Sequence, residues 1–376
     1  MADIRRCEAR MAKGEIAGVR IAGIASAVPT QAYGLESLEF IDPEQALKIS
    51  ENVGVRTRRI APPSICTSDL CYAAAARLMR ELDWAPGEIT GLIFITQTPD
   101  YVLPATSHAL HARLGLPTAC YAFDINLGCS GFVYGLWIAA SLMQNVKGKT
   151  LLLVGDTISH TISPRDRSVA PLFGDAGSAT ALEPSADAAP MFFELGADGS
   201  GVDSLIVPAG GFRRPRDAST GVRSLREGQN IRGDDDLFMD GPEVFTFTLQ
   251  RVPGLVKAIL GNAGRQLDSI DSVVFHQANR FMLDYLAKRI KIPPEKFAIT
   301  LQDFGNTSSA SIPMAITTTG LRERLQNSTA RLLLAGFGVG FSWAATVLQC
   351  GPGIFPELVE CDETIAAGGD GQKRAE

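Results

Sequence analysis

Residues 122–143 read AFDINLGCSGFVYGLWIAASLM, and the rest of the chain can be understood from this stretch outward. The apolar run that ends at Leu127 predicts a strand, and Gly128 to Gly131 predict a tight turn. Apolar residues then recur at helical spacing, which predicts a buried helix. Cys129 therefore lies at the start of a helix, where unpaired backbone N–H groups and the helix dipole stabilise a thiolate. Cys129 is a candidate nucleophile, and a buried structural cysteine is the alternative.

The composition is that of a globular protein. The chain has 376 residues, 45% of them hydrophobic and 20% charged, which is enough for two domains or one large duplicated domain. A net charge of −6 disfavours attraction of the whole protein to nucleic acid or to an anionic membrane. No apolar run reaches the ~18 residues of a membrane span, and the charged N-terminus does not resemble a secretory signal. Seven scattered cysteines indicate a reducing cytoplasmic location, without a disulfide framework or a metal-ligand pattern.

Apolar runs elsewhere in the first half predict a layered α/β fold. Strands are predicted over 19–27, 91–96 and 150–154, and a helix is predicted over 68–82. The runs over 91–96 and 150–154 are continuously apolar, which is typical of strands that are buried on both faces.

Three segments of the first half have counterparts in the second half, in the same order. The pairs are Arg80–Ile95 with Arg265–Phe275, Cys120–Gly131 with Phe297–Ala310, and Gly148–Ser159 with Thr329–Ser342. The order predicts an internal duplication, and chance similarity between short strand-turn-helix pieces is the alternative. In a duplicated α/β unit, equivalent turns meet at the carboxyl ends of the strands. Cys129 and Asn306 lie on such equivalent turns.

The duplication divides the chain into an N-terminal extension over 1–16, two halves over 17–190 and 191–350, and a flexible tail over 351–376. An insertion in the second half, about 209–241, is predicted to be an exposed loop. It carries six arginines, Arg213, Arg214, Arg216, Arg223, Arg226 and Arg232. These arginines form either a solvated surface or a contact for phosphate or an acidic carrier.

Three further polar or glycine-rich positions accompany Cys129. His276 directly follows the apolar strand SVVF, so it can point to the same place as Cys129; a structural histidine is the alternative. Asn306 could offer its amide N–H groups to a substrate oxygen, or simply form a turn. The glycines over 336–340 lack the full dinucleotide-binding pattern and instead suggest a backbone N–H close to a carbonyl oxygen.

Together these motifs resemble the β-ketoacyl-ACP synthase III group of the thiolase superfamily. The matching segments are FDINLGCSGFVYGL (123–136), LFGDAGSA (172–179), FHQAN (275–279), GNTSSAS (305–311) and GFGVGFSW (336–343). The resemblance runs from about residue 19 to 348. It implies an α/β, thiolase-like duplicated α-β-α-β-α five-layer fold and a homodimer.

The resemblance also implies a reaction. Cys129 would take an acyl group from a thioester, and His276 and Asn306 would stabilise the enolate that forms when malonyl thioester loses CO2. The backbone N–H groups of Cys129 and Gly340 would bind the oxyanion. The substrates would be acyl-CoA or acyl carrier protein (ACP) and malonyl-ACP or malonyl-CoA, with no cofactor and no metal. Acyl carrier protein would be the macromolecular partner.

Positions that contact coenzyme A or the carrier match the family only in part. Arg56 and Arg167 match positions that contact the nucleotide, and Lys288 and Arg289 match positions near the carrier docking surface. Lys48 occupies the position of the family's adenine-stacking Trp. We therefore expect a carrier-bound acyl donor to be preferred over acyl-CoA.

The acyl pocket is expected to involve Phe341 and Leu103. Leu103 falls where the family usually has a Phe that closes the pocket from the partner subunit, and a smaller residue suggests room for a longer or branched acyl chain. A specialised pathway, such as polyketide synthesis, is therefore as compatible with the sequence as fatty-acid synthesis. Two alternatives remain: an acyltransferase that passes the acyl group from Cys129 to a hydroxyl or amine, and a non-catalytic partner subunit.

Overall fold

A computed structural model describes residues 11–38 and 40–366 of the chain. The strands of this part are β1 (Ala12–Ile16), β2 (Val19–Pro29), β3 (Ala32–Gly34), β4 (Thr57–Arg59), β5 (Ile89–Ile95), β6 (Tyr121–Ile125), β7 (Lys149–Asp156), β8 (Ala176–Pro184), β9 (Met191–Ala197), β10 (Leu205–Ile206), β11 (Ser224–Leu225), β12 (Ile231–Arg232), β13 (Phe238–Met239), β14 (Ser272–Phe275), β15 (Ala330–Gly338), β16 (Ser342–Cys350) and β17 (Val359–Cys361). The α-helices are α1 (Pro43–Val53), α2 (Thr67–Glu81), α3 (Thr106–Arg113), α4 (Gly131–Leu142), α5 (Gly241–Asn262), α6 (Arg280–Ile290), α7 (Leu301–Phe304), α8 (Ser311–Thr318), α9 (Leu321–Asn327) and α10 (Glu363–Ala366).

Two sheets repeat one topology. The first has the strand order β17-β2-β8-β7-β5-β6, and the second has the order β1-β9-β16-β15-β14. Phe297 forms a parallel bridge to Val273 of β14, at the position that β6 occupies beside β5. In both sheets two adjacent central strands are parallel and the next two pairings are antiparallel. This agreement confirms the internal duplication that the sequence predicts.

The helices complete five layers. Helices α4 and α8 lie between the sheets, where Phe132 and Leu136 of α4 pack with Ile312 and Ile316 of α8 in one core. Helices α2 and α3 cover the outer face of the first sheet, and α5 and α6 cover that of the second. The fold is therefore the predicted thiolase-like α-β-α-β-α arrangement, and each sheet is buried on both faces.

Both ends of the described chain differ from the prediction. Residues 12–16 form β1, which pairs antiparallel with β9, so this part of the expected N-terminal extension belongs to the second sheet. Residues 359–361 form β17, which pairs parallel with β2, so the expected flexible tail is wrong over 351–366. Each short strand is paired with a strand that is remote in sequence, which local patterning cannot reveal. The remaining parts of the predicted N-terminal extension (1–10) and of the predicted flexible tail (367–376) lie outside the described residues.

The sheet ends place the candidate site. Strand β6 leads into the Cys129 turn, β14 leads into His276, β7 ends at Asp156 and β15 leads into residues 338–340. The carboxyl ends of strands from both halves therefore converge, as expected for a ligand site in an α/β fold. Across the described residues, no helix is both long enough and apolar enough to cross a membrane.

Candidate active site

The Cys129 turn is closely packed between the two halves. The Gly131 N–H donates to the Gly128 carbonyl at 2.7 Å, and α4 begins at Gly131. Strand β15 passes so close that a Cβ atom on Gly338 would lie 2.7 Å from the Cys129 Cβ and 2.8 Å from its Sγ. Only glycine fits at 338, and Cys129 itself is 5% exposed. Cys129 is therefore held between a helix start and a strand of the opposite half.

Burial dominates the electrostatics of the Cys129 thiol. It raises the pKa of Cys129 to about 12, and the negative charge of Asp156 adds to the rise. Hydrogen bonds from the backbone of Val339 and of Cys129, and from the Ser308 side chain, act in the opposite direction. The expectation that the helix start would leave a stabilised thiolate in the free protein is therefore wrong, because loss of solvation outweighs the helix dipole.

His276 is buried at the end of β14 and is neutral. Burial lowers its pKa to about 3, and a hydrogen bond with the backbone of Ser308 offsets this only in part. The ring Nδ1 lies 2.7 Å from the hydroxyl of Ser311 at the start of α8. A neutral imidazole fixed in this way can donate a hydrogen bond, and it is a weak base.

Asn306 is oriented by its own turn. Its backbone N–H donates to the Leu172 carbonyl at 2.8 Å, and its carbonyl accepts from the Gly174 N–H at 3.1 Å. Its side-chain Oδ1 accepts from the Ser308 N–H at 2.9 Å. Since the oxygen is engaged in the turn, the amide N–H groups are the end of the side chain that can reach a ligand.

One cavity contains all three predicted catalytic residues. It has a volume of about 470 Å³, and Cys129, His276 and Asn306 share its wall with apolar side chains of α5 and α6. A second cavity of about 310 Å³ shares the Cys129 wall. Its other walls come from strand ends and nearby turns, from residues just before the insertion and from Leu237 within it. The remaining lining residues are Gln97, Asn126, Ile158, Thr161, Phe173, Val202, Leu205, Ile206, Val207, Ser308, Val339 and Gly340. Cys129 therefore lies at the junction of two compartments.

Of three other predicted positions, only Phe341 needs correction. The backbone group that hydrogen-bonds the Cys129 sulfur belongs to Val339, whereas Gly340 lines the second cavity. Phe341 lines neither cavity, because its ring stacks on Phe247 with centroids 4.1 Å apart in the core of the second sheet. Leu103 is 85% exposed and lines neither cavity of its own chain.

The predicted coenzyme and carrier contacts lie outside the two cavities. Arg56 forms an ion pair with Asp303 at 2.6 Å, with both side chains more than half exposed. Arg167 lines a groove beside the first cavity, and its guanidinium lies 5.3 Å from the ring centroid of Phe40. Lys288 and Arg289 are exposed in the last turn of α6.

The arginines of the insertion are mostly paired within the chain. Asp234 pairs with Arg214 and Arg226, and Asp236 accepts two hydrogen bonds from Arg223. Arg216 and Arg232 also have carboxylate partners. The pairing of β10 with β13 closes the base of the insertion. It is therefore an internally paired unit, and a phosphate or carrier that bound these arginines would compete with their carboxylate partners.

Four residues of the site were not singled out from the sequence. Asp156, Ser308 and Val339 surround the Cys129 sulfur, and Phe40 lies against Arg167. Asp156 had a detectable signal, since an acidic residue directly follows the buried strand TLLLVG. The other three depend on tertiary contacts that no local pattern shows.

Comparison with known proteins identifies the family. Residues 123–199 match the family model of 3-oxoacyl-[acyl-carrier-protein (ACP)] synthase III, and residues 260–350 match the model of its C-terminal part. A β-ketoacyl-[acyl-carrier-protein] synthase III of Rhodopirellula baltica is 34% identical, over 89% of this chain and 99% of that protein.

Solved structures agree with that match. A 3-oxoacyl-(acyl-carrier protein) synthase from Burkholderia xenovorans LB400 superposes with a TM-score of 0.88 and 44% identity, covering 94% of this chain and 99% of that one. The priming β-ketosynthase of the R1128 polyketide pathway has a TM-score of 0.75 and 26% identity, covering 89% of this chain and 97% of that one. The chain therefore belongs to the β-ketoacyl-ACP synthase III family of thiolase-fold condensing enzymes, which are acyltransferases.

Proposed function

We propose that Cys129 carries the acyl group and that His276 and Asn306 activate the malonyl thioester. The observation that supports this assignment is the shared wall: all three line one cavity, and only Cys129 of the three also lines the second. One compartment can then hold the acyl chain while the other admits the extender unit. We assign the acyl chain to the second cavity, whose apolar Ile206, Val207 and Leu237 do not line the first.

Acylation begins with the donor thioester carbonyl at the Cys129 sulfur. The sulfur forms a bond to the carbonyl carbon, the bond from that carbon to the donor sulfur breaks, and the proton of the Cys129 thiol ends on the released thiol. The carbonyl oxygen becomes an oxyanion, which the backbone N–H groups of Cys129 and Val339 would stabilise; the backbone of both residues hydrogen-bonds the sulfur in the free protein. Because burial keeps the free thiol protonated, deprotonation accompanies attack.

Condensation uses the other compartment. The bond between the malonyl carboxylate and its α-carbon breaks, and the electron pair forms an enolate whose oxygen accepts hydrogen bonds from His276 and Asn306. The α-carbon then attacks the acyl carbonyl on Cys129, and the Cys129 sulfur leaves and regains a proton. One preorganised donor of this kind is typically worth ~10²–10³ in rate. No base is needed, since CO2 rather than a proton leaves the α-carbon.

The same residues disfavour the two alternatives. Transfer to a hydroxyl or amine needs a base for the acceptor's proton, and His276, with a pKa of about 3, is poorly suited to that role. A non-catalytic subunit would not be expected to retain Cys129, His276 and Asn306 around one cavity.

We further propose that a carrier protein delivers the thioesters and that the chain acts as a cytoplasmic homodimer. Phe281 of α6 lines the first cavity, and Lys288 and Arg289 follow on the same helix face, so an acidic carrier could dock there. The exposed Leu103 would then close the second cavity of the partner. The six described cysteines are free, in accordance with a reducing compartment.

Asn306→Ala tests the assignment of roles. We expect malonyl-ACP decarboxylation to fall by about 10²-fold or more, whereas acylation of Cys129 changes by less than about threefold, because Asn306 stabilises only the enolate. Intact-protein mass spectrometry measures acylation, and release of CO2 measures decarboxylation. Loss of acylation with decarboxylation preserved would reverse the proposed roles.

A further inference from the structure

Asp156 is a buried carboxylate that the proposed reaction does not use. Its Oδ1 accepts from the Gln97 N–H at 2.7 Å and from the Thr96 hydroxyl at 3.2 Å. Its Oδ2 accepts from the Ser309 hydroxyl at 2.7 Å and from the Ser309 N–H at 3.2 Å. No Lys, Arg or His of the described residues forms an ion pair with it. Burial raises the pKa of Asp156, and the hydrogen bonds from Gln97, from Ser309 and from the Ser308 side chain oppose that rise.

The four donors come from both halves of the molecule. Thr96 and Gln97 follow β5 in the first half, whereas Ser309 belongs to the turn that follows Asn306 in the second. A buried carboxylate is tolerated when its oxygens are hydrogen-bonded in this way. Asp156 therefore joins the two halves through hydrogen bonds, close to the proposed catalytic residues.

The Ser308–Ser309 turn, which is bound to Asp156, is strained and also contacts Asn306 and His276. Ser308 has a φ of +49°, in the left-handed region that a non-glycine residue adopts at a cost. The same residue donates its N–H to Asn306 Oδ1 and contacts His276 through its backbone. Ser309 anchors this turn on Asp156 together with the Ser308 side chain, and without these anchors relaxation of the turn would move both groups.

We infer that Asp156 is a positioning residue that holds the Ser308–Ser309 turn against the first half, so that Asn306 and His276 face the same cavity as Cys129. The inference rests on the proposed roles of those three residues. Asp156 lines neither cavity, so it acts through the turn and not on substrate.

The charge of Asp156 gives the inference a second, separable consequence. That charge raises the pKa of Cys129, and it also raises the pKa of the buried Cys71. Asp156→Asn removes the charge and also leaves an amide N–H2 facing a backbone N–H. Ser309→Ala removes one anchoring hydroxyl and keeps the charge. The two variants therefore differ in their effect on the thiol but agree in their effect on the turn.

The experiment measures malonyl-ACP decarboxylation and the alkylation of Cys129 by iodoacetamide at pH 8, with site assignment by peptide mapping. For Asp156→Asn we expect decarboxylation to fall at least about tenfold and alkylation to rise about threefold to tenfold, since loss of the negative charge lowers the pKa of the Cys129 thiol and increases its thiolate fraction. For Ser309→Ala we expect decarboxylation to fall about fivefold, the effect of one lost hydrogen bond, with alkylation unchanged.

Ser178→Ala is the matched control, because Ser178 is equally buried and donates to the Val154 carbonyl at 3.2 Å on a neighbouring strand. It should leave both rates within about twofold of wild type. The inference is overturned if Asp156→Asn behaves as wild type, if Ser309→Ala matches Ser178→Ala, or if Ser309→Ala speeds alkylation as much as Asp156→Asn does. If Asp156→Asn does not fold, the decarboxylation rates of Ser309→Ala and Ser178→Ala still test whether the contact with Asp156 positions the turn. A wild-type protein that does not decarboxylate malonyl-ACP refutes the proposed function, and the alkylation rates then test Asp156 alone.

Discussion

Two opposing electrostatic effects act on the sulfur of Cys129. The helix start and the N–H of Val339 favour a thiolate, while burial and the charge of Asp156 favour the thiol. Burial prevails, and a thiol that ionises only as it attacks is also protected from solvent-borne electrophiles. A sequence shows the helix start, but it does not show how many neighbours exclude water from the sulfur. The position of Cys129 beside a helix start was therefore predictable, whereas the burial that raises the pKa of its thiol was not.

His276 should leave a measurable mark on the pH dependence of stability. In the folded protein its pKa is about 3, against 6.5 for an ordinary histidine. Between these values the unfolded chain binds more protons, so the free energy of unfolding falls as the pH is lowered through this window, by at most ~1.4 kcal/mol per pH unit. The contribution is fully present above pH 6.5.

We therefore expect wild type to lose more stability than His276→Asn between pH 6.5 and pH 5. Urea unfolding at each pH measures the difference in free energy of unfolding between the two proteins. The free energy of unfolding of wild type should fall relative to that of His276→Asn as the pH is lowered. A difference that stays constant over the window would mean that His276 is not held neutral.

At the scale of secondary-structure elements, local apolar patterns and repeated segments predicted the central strands and the duplication well. The strands over 91–96 and 150–154 became β5 and β7, and the three repeated segments occupy equivalent places in the two sheets. Strands β1 and β17 were missed, because their pairing partners β9 and β2 lie far away along the chain. The insertion was predicted to be an exposed loop with arginines that are either solvated or in contact with phosphate or a carrier. The structure shows instead that the acidic residues 234–236 in the same segment supply most of their partners.

The paired insertion moves the proposed carrier surface to α6. Lys288→Glu with Arg289→Glu should lower the acylation rate with an acyl-ACP donor about tenfold at low salt, since an acidic partner would meet like charge. The rate with the same acyl-CoA should change by less than about twofold. The control is Arg213→Ala, Arg214→Ala and Arg216→Ala combined, which should spare the acyl-ACP rate because two of these arginines are paired within the insertion.

Stopped reactions analysed by intact-protein mass spectrometry give both rates, at two salt concentrations. The advantage of wild type over the α6 variant should shrink as salt rises, since exposed charges are screened. If the insertion variant lowers the acyl-ACP rate and the α6 variant does not, the carrier docks on the insertion.

At the scale of the whole molecule, an apolar loop is exposed within the part of the chain that the structure describes. Tyr101, Val102 and Leu103 are 60%, 81% and 85% exposed, and they follow β5 at the end of the sheet that carries the site. Strand β6 is an edge strand of the same sheet, with half-buried aromatic side chains. An exposed strand edge beside exposed apolar side chains is suited to a second copy of the chain. In the proposed homodimer each Leu103 closes the acyl cavity of its partner.

A complementation experiment tests this closure. Leu103→Phe should restrict Cys129 to short acyl donors, because a larger side chain occupies part of the cavity of about 310 Å³. The rate of Cys129 acylation by the longest donor that wild type accepts should fall at least about tenfold. In a heterodimer of Leu103→Phe with Cys129→Ala, purified through two different tags, the active cysteine faces the unaltered Leu103 of the other chain. Long-chain loading, followed by mass spectrometry, should therefore return to the wild-type level per active site. If the heterodimer stays restricted to short donors, Leu103 acts within its own chain, and a monomeric mass by light scattering would exclude closure by a partner altogether.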